Sequence, residues 1–297
     1  MGGNTLDMTK GSAWKLIVQF AVPVFLSQVF QQLYNTADAL IVGRFLGDEA
    51  LAAVSASGPL IFLLISFFAG AASGVGVAIA RYFGAGDYDK VSRTVHTAVL
   101  LGLISSLILT VIGVLFTPTL LLWMDTDLEV LPDAIGYFRC YFAGVGAGVM
   151  YNTFTGIMNA LGDSKRPLYF LLVASALNIG LDLVCIIVFR MGAFGAAFAT
   201  VFSQAVAGIG SLLYILRHYH ELRWSKDEGA FSLPHCAKLC SMGIPMGLQC
   251  SITAIGSVVL QGAVNGLGSD IVAAQTAGGK AAQFLSVPLE SIGTAMT

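Results

Sequence analysis

Seven long apolar stretches leave this chain little choice of fold: residues 16–43, 51–80, 94–122, 134–158, 167–189, 193–216 and 238–264. Each reaches the length of roughly 20 residues that a helix needs to cross a hydrocarbon core about 30 Å thick. An eighth stretch begins near Val272 and is still apolar at Thr297. The alternating pattern of a transmembrane barrel is absent, so the expected fold class is all-α, a polytopic integral membrane helical bundle. Composition agrees, since 56% of the 297 residues are hydrophobic and only 11% are charged, against about 25% charged in soluble domains. The polar start, Met1 to Lys15, lacks a small-residue cleavage site and leads into a full-length span. It does not read as a removable signal peptide.

Basic residues accumulate in cytoplasmic loops, which gives an orientation. With the N-terminus inside, eleven of them fall on the cytoplasmic side: Lys10, Lys15, Arg81, Lys90, Arg93, Lys165, Arg166, Arg217, Arg223, Lys226 and Lys238. Only Arg44 and Arg190 fall outside, and the loop holding Asp125, Asp127 and Glu129 has no basic residue, as an outer loop should. The expectation is a multi-pass protein of the plasma membrane with a cytoplasmic N-terminus. A net charge of −2 offers nothing to nucleic acid. The five cysteines are odd in number and mostly within or beside apolar spans, so no disulfide framework is expected. Cys236 and Cys240 share a helix face near His235 without making a convincing metal site.

The longest polar interruption, 217–237, divides the chain into a six-helix unit at 1–216, a cytoplasmic linker at 217–237 and two further helices at 238–297. Across the linker the sequence resembles itself. Val22-Pro23 returns as Ile244-Pro245, and the run Leu46-Gly47 to Ala52-Ala53 returns as Leu267-Gly268 to Ala273-Ala274, at offsets of 222 and 221. Six intervening spans return span seven to the same side, so this is a parallel repeat about an axis along the membrane normal. Such a repeat calls for six spans in the second lobe, and two are present, the last unfinished. The expectation is one complete lobe and an incomplete second.

Few ionisable residues lie deep in the spans: Asp38, Asp182, Lys280, Glu290 and, nearer an edge, Arg139. A charge at the bilayer centre costs about 2.5–3.5 kcal/mol on insertion scales, so such residues face the bundle interior or a wet cavity. At a rise of about 1.5 Å per residue, Asp38 stands about 9 Å below Arg44, Asp182 about 12 Å below Arg190, and Thr200 about 12 Å below Gly192. Three helices thus present polar groups at one level. Asn178 lies one turn from Asp182 on the same face. Asp38, Asn178, Asp182 and Thr200 form a set of hard oxygen ligands suited to a hard cation, and the same carboxyl pair suits protons. Structural hydrogen-bonding glue between helices is the plainer alternative. Gln28, Gln31, Asn35 and Asp38 are spaced 3, 4 and 3 and form one polar stripe that should line a cavity. Span seven carries Gln249, Thr253, Ser257 and Gln261, with Leu260 opposite Asp38, so the acid is not repeated. The glycines of Gly144-Val-Gly-Ala-Gly148 fit close helix packing. No hydrolase triad, phosphate loop or His-rich metal motif is present, so neither an enzyme nor a cofactor is expected.

Thr36-Ala-Asp38 to Gly43 and Gly47 in span one, Gly156 to Gly162-Asp-Ser-Lys-Arg-Pro167 between spans four and five, and Asn178-Ile-Gly-Leu-Asp182 in span five together resemble the multidrug and toxic compound extrusion (MATE) family. The resemblance covers essentially the whole chain. It implies a twelve-helix, two-lobe antiporter, here ending after about eight helices, that exports cationic or amphipathic drugs or metabolites in exchange for sodium ions or protons without hydrolysing ATP. It also implies that Asp38, Asn178, Asp182 and Thr200 bind the cation, that Gln31 and Tyr34 line the substrate cavity, and that Pro23 is the hinge at which the first helix bends. No metal is implied beyond a sodium ion at that site, and the expected partners are the small molecule and the bilayer, with the protein a monomer. A flippase for lipid-linked sugars, from the same superfamily, is the nearest rival and would be expected to carry Lys or Arg in its cavity. A membrane structural or channel protein is the rival from another class.

Overall fold

The computed structural model describes residues 11–123, 131–219, 233–265, 282 and 285–296. No strand occurs among them. Asp125, Asp127, Glu129, Lys280 and residues 220–232 of the expected linker lie outside the described residues.

Helix α1, Ala13–Gly84, carries two spans, Ala13–Leu46 and Ser66–Gly84. Straight, its 72 residues would measure about 108 Å. Its two ends nevertheless line one cavity, with Ala13 and Leu16 facing the same space as Phe83 and Gly84. The run therefore doubles back, and its two arms cross the bilayer side by side. The turn Gly84–Asp87 follows, with Gly86 at φ 73°. Asp87 then caps helix α2, Tyr88–Trp123, accepting from the Lys90 amide at 3.2 Å. The Lys90 ammonium beside it holds the Asp87 carboxyl below the usual carboxylate range.

The expected continuous span four is instead two helices, α3 (Leu131–Ala143) and α4 (Val145–Ala160), joined at Gly144. The break is a tightening, since Gly144 still donates to Cys140 O and Tyr141 O, both at 3.2 Å, and its own carbonyl accepts from Ala147 at 3.0 Å. Its cause is proximity: a Cβ on Gly144 would lie 2.0 Å from Val201 Cγ1 of the neighbouring span. Because neither half reaches 18 residues, six described helices rather than seven are long and apolar enough to cross a membrane. Helix α5, Lys165–Leu183, ends in a π turn, Val184–Val188, and α6 follows as Gly192–His218. Helix α7 spans Leu233–Asn265, and 285–296 form a last helix, α8.

We call the side holding Ala13, Gly84, Leu161–Ser164 and His218 the near face. The opposite, far face holds Leu46, Leu131 and Phe189–Gly192. Near it-side apolar contacts join Ile79, Val91, Val95, Phe154, Ile157, Met158 and Ile215, and a second cluster of Leu109, Leu121, Phe138 and Phe142 joins α2 to α3. Outward, α6 exposes Phe194, Phe198, Phe202, Ile209 and Leu213. This is the surface a helix presents to lipid rather than water. The structure is that of a multi-pass membrane protein.

Helix α7 packs along the second arm of α1 through glycines. Gly70 and Gly74 on one side meet Gly243 and Gly247 on the other, each pair four residues apart and so on one helix face. A Cβ on Gly70 would lie 2.6 Å from Met246 O, one on Gly74 2.8 Å from Gly243 Cα, and one on Gly247 2.7 Å from Phe67 O. Backbone thus rests on backbone, the arrangement small residues permit between membrane helices. Helix α8 meets the first arm through Ala295, against Phe20, Ala21 and Val24.

The near-face turn between α4 and α5 is locked by Asp163, only 1% exposed. Its Oδ2 accepts from the Tyr214 hydroxyl at 3.4 Å and the Tyr219 hydroxyl at 3.3 Å, and its Oδ1 from the Arg166 amide at 3.3 Å. The Arg166 guanidinium lies 5.0 Å from the centre of the Tyr214 ring. Burial, and then the Asp163 charge, push the Tyr219 hydroxyl pKa upward, so it stays a donor. Replacing Asp163 by Ala strands these buried donors, each worth about 1–3 kcal/mol when left unpaired. A thermal unfolding scan in detergent should show the variant melting several degrees below the parent, and Asp163→Asn should fall between them.

Candidate functional site

Three spans bring the anticipated polar residues to one level. Asn178 and Asp182 lie one turn apart on α5 and are fully buried. Asp38, half-buried on the first arm of α1, reaches Asp182 closely enough for the two carboxyl groups to hydrogen bond. Thr200 on α6 ties the group together: its Oγ1 accepts from Asn178 Nδ2 at 3.3 Å and from the Tyr34 hydroxyl at 3.5 Å. Oδ1 of Asp38 is buried and accepts from no donor among the described residues. Two carboxyl groups in contact repel unless a proton or a metal cation sits with them. Two carboxylates, an amide oxygen and hydroxyls are also the ligand types a hard cation takes.

Tyr34 belongs with this group, not with the cavity. It is buried and its hydroxyl points at Thr200. Tyr137 and Tyr141 of α3 close the flank, near enough to both or one of the acids to feel their charge, and their rings stack 6.3 Å apart. These two were not singled out from sequence, although two tyrosines four apart in an apolar span are themselves a polar stripe. Arg139 between them is exposed. On the far side, one turn beyond each acid, Val42, Ile186, Ala193, Ala196 and Ala197 pack with Tyr137 into a dry plug. The π turn begins two residues after Asp182, so the depth counted back from Arg190 runs through a widened turn and overstates the straight-helix rise.

Toward the near face lies a cavity of about 1130 Å³ between the two arms of α1, α4, α5 and α8. Gln28 and Gln31 of the polar stripe line it, together with Tyr151, Asn152, Thr155 and Asn159 of α4. Asn35 is exposed, accepts from Gln31 Nε2 at 3.4 Å and stands outside the cavity wall. Oε1 of Gln28 and Oδ1 of Asn159 are buried there with no donor among the described residues. No Asp, Glu, Lys or Arg lines this cavity among the described residues. Pro23 sits buried within the first arm, where its missing N–H deprives the Gln19 carbonyl of its helical donor.

Known proteins share this architecture. A probable multidrug resistance protein of Bacillus subtilis, YoeA, is 30% identical over 99% of this chain and 65% of its own. An FAD transporter of Shewanella oneidensis is 25% identical over 89% of this chain and 59% of its own. The solved structure of a multidrug resistance MATE family transporter in an outward-facing conformation superposes with a TM-score of 0.89 at 28% identity, covering 97% of this chain and 64% of that one. The chain therefore spans about two thirds of the length of these relatives. The MatE family model matches residues 23–184, more than half of the chain and the stretch that contributes Pro23 and both carboxyl groups, so the chain belongs to the MatE family.

Proposed function

We propose that this chain is part of a secondary transporter that exports cationic or amphipathic compounds in antiport with sodium ions or protons. One observation carries the reading: Asp38 and Asp182 meet inside the membrane, bracketed by Asn178, Thr200 and Tyr34. Residues 1–216 form the first lobe, 217–237 a linker on the cytoplasmic side, and 238–297 belong to the second lobe. The near face is cytoplasmic, as the distribution of basic residues implies. A cation arriving from outside displaces the plug around Val42 and Ile186 and neutralises the acids. Span one then moves about Pro23 and the cavity releases its contents outward. One charge crossing 100 mV supplies about 2.3 kcal/mol, enough for roughly fifty-fold accumulation.

The bare acceptors on Gln28 and Asn159 favour a substrate with N–H or O–H donors, and the aromatic and aliphatic remainder of the wall favours an apolar body. The described wall has no cation to hold a phosphate, which counts against a flippase for lipid-linked sugars. Proteoliposomes holding ethidium discriminate between the readings. Dye flux should follow an imposed sodium or proton gradient and stop when the gradient is collapsed. Flux indifferent to both gradients would discard antiport.

A further inference from the structure

A second cavity, of about 330 Å³, lies on the other side of the second arm of α1, between that arm, α2, α4 and α7. Its wall is largely apolar, with Val75, Ile79, Leu101, Leu239 and Ile244 among its lining residues, and Asn152 and Gln204 are among its few polar members. Helix α7 packs along the second arm and barely touches α2, so the cavity has its mouth in the gap between α2 and α7. Ile244 at that mouth is 47% exposed, and Leu248, one turn further along α7, is exposed too. In a bilayer the medium outside such a mouth is lipid.

The near-face end of the slot is ringed by cations. Lys238 directly precedes the lining residue Leu239, and its Nζ donates to the Tyr82 hydroxyl at 3.1 Å. Tyr82 in turn is three residues from the lining residue Ile79. The Lys90 and Lys238 ammonium groups stand 5.8 and 5.7 Å from the centre of the Tyr82 ring. Arg81 of the second arm of α1 and Arg93 of α2 are exposed at the same end of their helices. Among the described residues the acids in this neighbourhood are Asp87, paired with Lys90, and Asp89, which leaves these residues an excess of positive charge. Neither the carboxyl pair nor the large cavity uses any of these cations.

We propose that this slot and its basic rim bind one anionic phospholipid, its phosphate between Lys90 and Lys238 and one acyl chain inserted between α2 and α7. Charge and shape argue for the same occupant. Basic pockets between membrane helices at the bilayer surface recognise anionic headgroups, and a phosphate takes charge-assisted bonds from ammonium groups. The apolar slot begins where the cations end, as an acyl chain begins below its headgroup. A free phosphate would satisfy the rim and leave the slot unused.

The test is native mass spectrometry of the detergent-purified full chain, titrated with phosphatidylglycerol or phosphatidylcholine. The parent should retain phosphatidylglycerol about thirtyfold more tightly, two lysines at the surface each being worth about fivefold. Lys90→Ala with Lys238→Ala should erase the preference, and Lys90→Arg with Lys238→Arg should keep it. Gly102→Leu, which fills the slot and leaves the rim intact, should weaken both lipids. Equal binding of the two lipids by the parent overturns the proposal, as does loss of all lipid on delipidation with no rebinding. Phosphatidylglycerol binding that ignores Gly102→Leu also overturns it, since the rim would then hold a headgroup or free phosphate alone.

Discussion

Asp182→Asn abolishes gradient-driven export while leaving the protein in the membrane and folded. The amide keeps the shape of the side chain and removes its charge, so Asn178, Thr200 and Tyr34 keep their mutual bonds. What would disappear is the charge proposed to hold a coupling cation against Asp38. Each coupled charge lost lowers the attainable accumulation about fifty-fold at 100 mV. Dye accumulation in vesicles, with the variant quantified by immunoblot and its melting temperature measured beside the parent, reads both halves of the expectation. Stability should hold or rise, because a repelling contact between acids is removed. Asp38→Asn should behave alike, and the double variant should add little, as expected of groups that act as one unit. Glu290→Gln is the matched control: that carboxylate is exposed on α8, and export should not change. Export surviving Asp182→Asn would dissociate the pair from coupling.

Gly247→Leu is expected to be the most damaging substitution outside that pair. The new Cβ would arrive 2.7 Å from the Phe67 carbonyl and 3.1 Å from its ring, and the carbonyl cannot swing aside as a flexible side chain would. The second arm and α7 must separate. Overpacking of this kind costs about 1–3 kcal/mol in well-packed cores and more where backbone is the obstacle. The variant should melt several degrees lower and lose export together with stability. Gly256→Leu, nine residues further along α7, meets nothing within 4 Å among the described residues and should match the parent in both measurements. Equal effects at the two glycines would mean that the crossing is not the determinant.

The helices and the level of the acids were legible because both depend on local quantities. Apolar run length marks a span, and a fixed rise per residue places Asp38, Asp182 and Thr200 at comparable depth before any contact is known. The polar stripe on span one was legible for the same reason as far as Gln28 and Gln31, which do line the large cavity. Tyr34 and Asn35 went elsewhere because a stripe fixes a helix face and says nothing about which neighbour covers it. What could not be read depends on distant partners. Gly144 breaks span four because Val201 presses on it, and nothing in the local sequence announces Val201. The dry plug around Val42 is made of ordinary small and branched residues whose meaning comes from standing one turn beyond the acids on three separate helices. The glycine crossing likewise needs both of its partners to be recognised.

The two cavities have a common partition. Ala69, Ala72 and Gly76 of the second arm and Asn152 and Gly156 of α4 face both spaces at once, and four of these five have no side chain larger than a methyl group. A septum that thin cannot absorb pressure on one side without yielding volume on the other. A hydrophobic compound wedged from the bilayer side would therefore narrow the polar chamber without ever entering it, and inhibition of that kind would not be relieved by raising the concentration of the transported molecule.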